Sequence, residues 1–340
     1  MEKILTGPHK LPKMAARTTL DPELQHFLAT TLEGSLRLGG PDYIHERRHH
    51  TEVLGIHALE PSKQAPIHRV EFTAIRGPYG TIPIRVLYPS SATERQHSND
   101  AAALIYFHGG GYTVGTVDEF ENGLRIVAEG AGVIVFAVEY RLAPEWSFPV
   151  QIDEYASVID WLLGSGSKER GINPRRICVG GDSAGGNMSA AISLKRRDEG
   201  KNGDIKAQIL LYPEARIPFD TLAAAENNST LYLQCNGIFS FAHHYLPIGV
   251  APSHPYVSPG MQPVTNLKDL PPAAVFTCGF DPLRDVGVEY ASKLQEANNK
   301  VTWRHHANLT HGFLQFAPWC DEAMKATKQV AATLRDFAYD

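Results

Sequence analysis

An α/β fold built on a mostly parallel sheet is what this sequence predicts, and three observations predict it. Apolar strands alternate with amphipathic helices from about residue 100 to residue 340. A Gly-x-Ser-x-Gly run, Gly181-Asp182-Ser183-Ala184-Gly185, stands between a strand and a helix. A glycine run, His108-Gly109-Gly110-Gly111-Tyr112, directly follows another strand.

The elements follow in chain order. Asp21 at an N-cap and Pro22 at the first helical position open a helix with Leu24, Phe27, Leu28 and Leu32 on one face. The stretch from Gly39 to Pro41 and the polar run after it read as loop or short helix. Val70–Ile75 and Ile82–Tyr88 flank Gly77-Pro78-Tyr79-Gly80, a hairpin signal. Ala102–Phe107 is continuously apolar, as buried parallel strands are. Phe120, Leu124, Val127 and Ala131 give helical spacing, and Val133–Val138 is the next strand. A helix through Ile152, Tyr155 and Ile159 precedes a strand at Arg176–Gly180 and a helix through Met188 and Ile192. Strands at Ile205–Tyr212, Ala273–Cys278 and Val301–His305 follow, with helices after the last two.

One interval breaks the rhythm. About 60 residues separate Tyr212 from Ala273, too many for a simple crossover, and they include a helical piece at Ile238–Tyr245. The expected division is therefore a catalytic core in two blocks, 69–213 and 271–340. The excess segments, 1–68 and 214–270, are expected to form one cap.

Composition bounds the function. With 43% hydrophobic and 20% charged residues the chain can bury a core. Its net charge of −5 argues against nucleic-acid binding, which needs a basic face. Cys178, Cys235, Cys278 and Cys320 lie too far apart for a zinc spacing or a disulfide framework, which points to a reducing, cytoplasmic setting. Cys178 and Cys278, on strands, read as buried apolar residues. Pro, His and Lys interrupt any signal-like run at the N-terminus, and no stretch approaches a membrane span. The sequons at Asn187, Asn228 and Asn308 read as chance matches, with Asn187 expected to be buried.

The chemistry centres on Ser183. A sharp strand–turn–helix holds a serine in strained backbone and stands its hydroxyl clear at a helix N-terminus. There the dipole and the Ala184 N–H favour developing negative charge. The glycines after His108 let backbone N–H groups approach a ligand, so Gly109 and Gly110 are expected to complete an oxyanion hole. No Lys-Ser/Thr follows them, which excludes a Walker loop. A serine nucleophile needs a base, and the base a carboxylate, in the chain order serine, acid, histidine. Asp281, at the end of strand Ala273–Cys278, is preferred to Asp285 one helical turn on. His311 is preferred to His305 and His306, which fall in or at the end of a strand. Tyr112, Asp182 and Phe313, beside these motifs, are the expected substrate-binding residues. No metal or cofactor is expected.

On these motifs the chain resembles the hormone-sensitive-lipase-like family of α/β-hydrolases, in the branch with GDSAG at the serine. The matching stretches are HGGGY (108–112), YRLAPE (140–145), GDSAGGN (181–187), DPLRD (281–285) and HGF (311–313). LDPE at the first helix and ENNSTLYL near 226 resemble the family's cap. The resemblance implies an α/β-hydrolase fold, a cap over the active site, and a serine carboxylesterase acting on short- to medium-chain esters of small molecules. It also implies structural roles for Arg141 and Glu145. Val286-Gly287 departs from the family's usual acidic residue and glycine, and residues 1–18 have no counterpart, which leaves a homodimer possible but open. Acyl transfer or tailoring of a specialised metabolite would use the same residues. Relatives without the histidine act as small-molecule receptors, but here all three residues are present.

Weaker signals remain. His45-Glu46-Arg47-Arg48-His49 matches H-E-x-x-H, but without a third ligand or an apolar face it reads as a solvated polar segment. The adjacent His243 and His244 cannot share a helix face and read as surface or cap residues. Phe219, Tyr232, Phe239, Phe241 and Tyr245 either line a pocket or pack the cap.

Overall fold

The structure is a computed structural model that describes residues 10–30, 37–39, 42–217, 219–228 and 231–340. Leu32 and Pro41 lie outside the described residues. Eight strands form one sheet: β1 (Arg69–Gly77), β2 (Gly80–Tyr88), β3 (Ala101–Phe107), β4 (Val133–Val138), β5 (Ile172–Asp182), β6 (Ala207–Leu211), β7 (Ala273–Phe280) and β8 (Val301–Thr310). Their order is β1-β2-β4-β3-β5-β6-β7-β8. Strand β2 is antiparallel to β1 and β4, and all other neighbours are parallel. The long helices are α1 (Pro22–Thr30), α2 (Tyr43–Leu54), α3 (Val117–Ala131), α4 (Val150–Trp161), α5 (Ala184–Asp198), α6 (Cys235–Tyr245), α7 (Arg284–Glu296) and α8 (Asp321–Tyr339).

The apolar run in β3 explains the layering. Successive side chains point to opposite faces of a strand. Ala102, Leu104 and Tyr106 join one core with Leu124 and Val127 of α3 and Val330 and Leu334 of α8. Ala103, Ile105 and Phe107 join a second core with Tyr155 and Ile159 of α4 and Met188 and Ile192 of α5. Both faces are thus covered, as a parallel sheet requires.

Several elements run further than their periodicity suggests. The β1–β2 hairpin closes on Pro78-Tyr79 alone, with Gly77 paired to Gly80. Strand β5 continues into Asp182, and β8 continues to Thr310, so that Ser183 and His311 each follow a strand without a spacer. Alternation gave no warning of these extensions, because hydrogen bonding to neighbouring strands sets them: Asp182 pairs with Leu211 and Thr310 with Phe280.

The topology also creates the crevice. Strand β3 lies between β4 and β5, so the chain leaves β3 toward one side, returns, and continues on the other. A crevice opens where connections diverge in this way, at the C-terminal ends of the strands. The loops after β3 and β5 both begin there, with Phe107 in register with Gly181.

The segments outside the sheet divide in two. Residues 10–21 run along the β8 side: the Thr18 N–H donates to the Ala307 carbonyl at 2.9 Å and the Asp21 N–H to the Asn308 carbonyl at 3.0 Å. The Asp21 carboxylate caps α1 through the N–H groups of Glu23 and Leu24. Near residue 38 the chain bridges to the segment between β6 and β7. The Leu38 N–H donates to the Tyr232 carbonyl at 3.1 Å, and the Gln234 N–H donates to the Leu38 carbonyl at 3.1 Å.

The H-E-x-x-H stretch is not a solvated segment. It is helix α2, capped by the Asp42 carboxylate on the His45 N–H, with Glu46, His50 and Leu54 buried along one side. His45 and His49 stack on another side, away from Glu46. Polar residues on the inward face hid this helix from an apolar-periodicity reading.

Candidate active site

Ser183 occupies the turn between β5 and α5. Its backbone is left-handed, at φ 52° and ψ −119°, which a non-glycine residue adopts only where its surroundings enforce it. Here its N–H donates to the Leu211 carbonyl at 2.9 Å, and its carbonyl accepts from the Asn187 N–H at 3.0 Å. Gly185 permits the turn to pack under β3: a Cβ there would lie 1.8 Å from the Phe107 carbonyl oxygen. Asn187 is buried, as expected, and its amide donates to the Glu214 and Val257 carbonyls.

Asp281 and His311 meet because β7 and β8 are neighbours ending level, with Phe280 paired to Thr310. His311 Nδ1 lies 2.9 Å from Asp281 Oδ2, and both residues are buried. The other Asp281 oxygen accepts the Leu283 N–H at 2.8 Å. The carboxylate is thus fixed from two sides, and it orients the imidazole. His311 Nε2 has no protein partner, and His311 and Ser183 line the same cleft.

The alternatives are engaged elsewhere. Asp285 receives the Arg284 guanidinium at 2.8 Å and the Ala223 N–H at 3.0 Å. His305 holds the Thr277 hydroxyl at 3.0 Å and the Ala16 carbonyl at 2.6 Å. His306 packs against Phe276 and Phe313, and burial lowers its pKa to about 3.

The glycine loop requires a correction. The Gly109 N–H donates to Asp182 Oδ1 at 2.7 Å, so it is not free to meet an oxyanion. Among the described residues, the N–H groups of Gly110 and Gly111 have no acceptor. The N–H groups open to a ligand therefore lie one residue further along the loop than expected. Gly110 is needed there: its φ is +110°, and a Cβ would lie 2.1 Å from the Val114 carbonyl oxygen. Asp182 also accepts from the Tyr106 hydroxyl at 2.7 Å, tying the serine turn to β3 and its loop. Burial raises the Asp182 pKa to about 6, opposed by these two donors. His108 braces the loop from beneath, stacked on Tyr140 with its Nδ1 2.7 Å from the Gly109 carbonyl. Burial lowers its pKa to about 4.

Of the residues expected to bind substrate, only Asp182 lines the cleft, and its carboxylate serves the loop. Tyr112 stacks on Tyr245 at 3.8 Å. Phe313 is fully buried against Tyr212 and His306. Their rings were drawn into the core by the same apolar surface that suggested a substrate role. Of the aromatics between β6 and β7, Tyr232 lines the cleft and Phe241 covers Gly111, while Phe239 is exposed.

The cleft is narrow, with a cavity volume of about 10 Å³, room for about one water. Leu38 and His50 border it from the N-terminal segment, Tyr232 from the insertion, Glu119 and Phe120 from the start of α3, and Gln315 from the turn after His311. Sequence reading missed His50, Glu119 and Gln315. Glu119 sits in the first turn of a helix, where an acidic residue is ordinary, and nothing in the sequence marks it as inward-facing.

Comparison with known proteins agrees with this geometry. The model of the alpha/beta hydrolase fold family matches residues 104–315. The chain is 35% identical over 281 residues to the esterase LipI of Mycobacterium tuberculosis, covering 82% of this chain and 86% of that one. It is 33% identical over 324 residues to the carboxylic ester hydrolase LipN of the same organism, covering 93% and 83%. A solved esterase from Pyrobaculum calidifontis superposes with a TM-score of 0.83 at 30% identity, covering 94% of this chain and all of that one. Fold and relatives together define an α/β-hydrolase that cleaves carboxylic esters. Within that class, the chain belongs to the hormone-sensitive-lipase-like family. No helix among the described residues is long and apolar enough to cross a membrane.

Proposed function

We propose that this enzyme hydrolyses short-chain esters of small molecules through an acyl-enzyme on Ser183. The observation that carries the reading is the 2.9 Å contact between His311 and Asp281, with Nε2 of the same imidazole unpartnered beside the cleft that Ser183 lines. His311 Nε2 takes the Ser183 proton as Oγ adds to the ester carbonyl. The oxyanion forms against the N–H groups of Gly110, Gly111 and Ala184. Collapse breaks the bond to the alkoxy group, and His311 returns the proton to the departing alcohol. Water then attacks the acyl-enzyme by the same route and releases the acid. Protein groups and water account for every proton.

The closeness of Leu38, Phe120 and Tyr232 around the cleft supports short acyl chains. We assign the cap to residues 37–39 and 42–68 and the part of the insertion around α6. The Leu38–Leu233 bridge supports this division, as does Arg47, which reaches the core through Glu145 at 2.8 Å and the carbonyls of Thr113 and Ala143. Residues 10–21, on β8, belong with the core. A homodimer would form away from the part of β8 that they cover. Four unpaired cysteines support a cytoplasmic setting.

Replacing Ser183 with Ala should lower turnover of p-nitrophenyl butyrate by roughly 10⁴-fold or more. A phosphonate ester should add covalently to Ser183, as mass spectrometry would read. Near-normal turnover in the variant would overturn the assignment.

A further inference from the structure

The cleft beside Ser183 is small, yet it carries more polar atoms than an alkyl chain could satisfy. His50 is 1% exposed, and its Nε2 has no hydrogen-bond partner. The nearest carboxylate oxygen, on Glu46, is 3.9 Å away, beyond hydrogen-bond reach, and already accepts the Gly39 N–H. Glu119 is 3% exposed. Its Oε1 accepts from the hydroxyls of Thr51 and Thr116, at 3.0 and 3.4 Å, and no described residue bonds its Oε2. The Gln315 amide nitrogen is buried and makes no well-formed hydrogen bond, the Tyr232 hydroxyl being its neighbour. All three residues line the cleft that Ser183 and His311 line.

Buried polar groups are normally paired. Two unpartnered atoms, on α2 and the turn after His311, and the Glu119 carboxyl on α3 converge on one space in front of a nucleophile. Packing does not require this, since an apolar side chain would fill each position. A plain butyryl or propyl group would exclude water from these atoms and pair with none of them.

We propose that His50, Glu119 and Gln315 form a polar subsite that binds an uncharged hydroxyl or carbonyl oxygen carried by the ester, so that the preferred substrates are short oxygenated esters rather than alkyl ones. The proposal rests on Ser183 acting from this cleft. Burial lowers the His50 pKa to about 3 and raises that of Glu119 to about 8, so both are neutral near pH 7, as an uncharged partner suits. The carboxylic acid and the amide then donate, and the imidazole donates or accepts according to its tautomer.

The oxygen could sit in the acyl or the alcohol part, and two isosteric pairs separate these sources. The acyl arm compares each enantiomer of ethyl 3-hydroxybutyrate with ethyl 3-methylbutyrate. The alcohol arm compares 2-hydroxyethyl butyrate with propyl butyrate. With the full-length enzyme, kcat/KM should favour the hydroxylated ester by about tenfold or more in one arm, because a site built to pair a hydroxyl discriminates against the analogue lacking it. In His50→Leu and, separately, Glu119→Leu, that ratio should fall toward one while hydrolysis of the alkyl ester persists. A wild-type ratio near one in both arms would overturn the subsite and leave the esterase reading intact. So would a ratio that neither substitution changes. Failure of wild type to hydrolyse any of the five esters would instead overturn the reading of Ser183 and the subsite with it.

Discussion

The floor and the roof of the cleft are held by different means. On the floor, Ser183, Asp281 and His311 each directly follow a strand of one hydrogen-bonded sheet, and strand register fixes their separations. On the roof, α2 and α6 lie outside the sheet, and the chain near them is joined by the bridge at Leu38 and Leu233. The Arg47 guanidinium fastens α2 to the core. The floor can therefore hold a reacting geometry closely, whereas the roof can vary in shape without disturbing it. Chemistry should belong to the floor and selectivity to the roof.

The sharpest test of that division lies within the floor, between two aspartates four residues apart. Asp281→Asn should lower kcat by roughly 10⁴-fold, because the amide no longer holds the productive imidazole tautomer. Asp285→Asn should leave kcat within several-fold, and lower the unfolding temperature instead. It weakens the pair with Arg284 and a contact to the Ala223 N–H. Equal losses of kcat in the two variants would break the assignment. Next in size is Gly110→Ala. Its Cβ would force the loop away from the Val114 carbonyl and displace the N–H that we propose as an oxyanion donor. The expected loss is roughly 10²–10³ in kcat with KM little changed. A KM effect alone would place Gly110 in the roof's category.

A smaller effect should come from the clasp. Arg47→Met removes the pair with Glu145 and the bonds to the Thr113 and Ala143 carbonyls. Arg47 is partly exposed, so the stability loss should be modest. KM should rise several-fold while kcat stays near normal, since the floor is untouched. A large kcat loss with unchanged KM would show that roof and floor are not separable.

The same division explains what was legible in the sequence. The floor could be read because each residue follows a strand of distinctive pattern: β5 before Ser183, β7 before Asp281, β8 before His311. The Gly109 N–H was misread because a glycine run does not say which of its donors is free. Only the fold shows that Asp182 comes up beneath the first of them. The roof could not be read at all in detail. Its inward residues on α2 are Glu46 and His50, which look like surface residues in any pattern that equates burial with apolarity. Tyr112 and Phe313 failed in the opposite sense. Large rings beside catalytic motifs suggest a pocket, but their own area made them core.

The smallest effect concerns stability, and it sets a roof residue against a residue bordering the cleft from the core. Glu119 has a folded pKa raised from 4.5 to about 8 by burial. The folded protein therefore binds this proton more tightly than the unfolded chain. The resulting stability is fully present below about pH 4.5 and lost as pH rises through 8. His50 behaves oppositely. Its pKa falls from 6.5 to about 3 on burial, so its contribution is present above 6.5 and lost as pH falls through 3. In Glu119→Gln the fall in unfolding temperature between pH 5 and pH 8 should be shallower than in wild type. It should not vanish, because Glu214 is also raised to about 8 and Asp182 to about 6. In His50→Gln the fall on the acid side should be shallower, with the alkaline side unchanged. His306 and His108, also lowered by burial, keep the rest of the acid limb. Unfolding temperatures measured across pH 3–9 for the three proteins would check both limbs. If each substitution shifted the whole curve by a constant amount, neither group would titrate as its burial implies, and His50 and Glu119 would meet solvent in the folded protein.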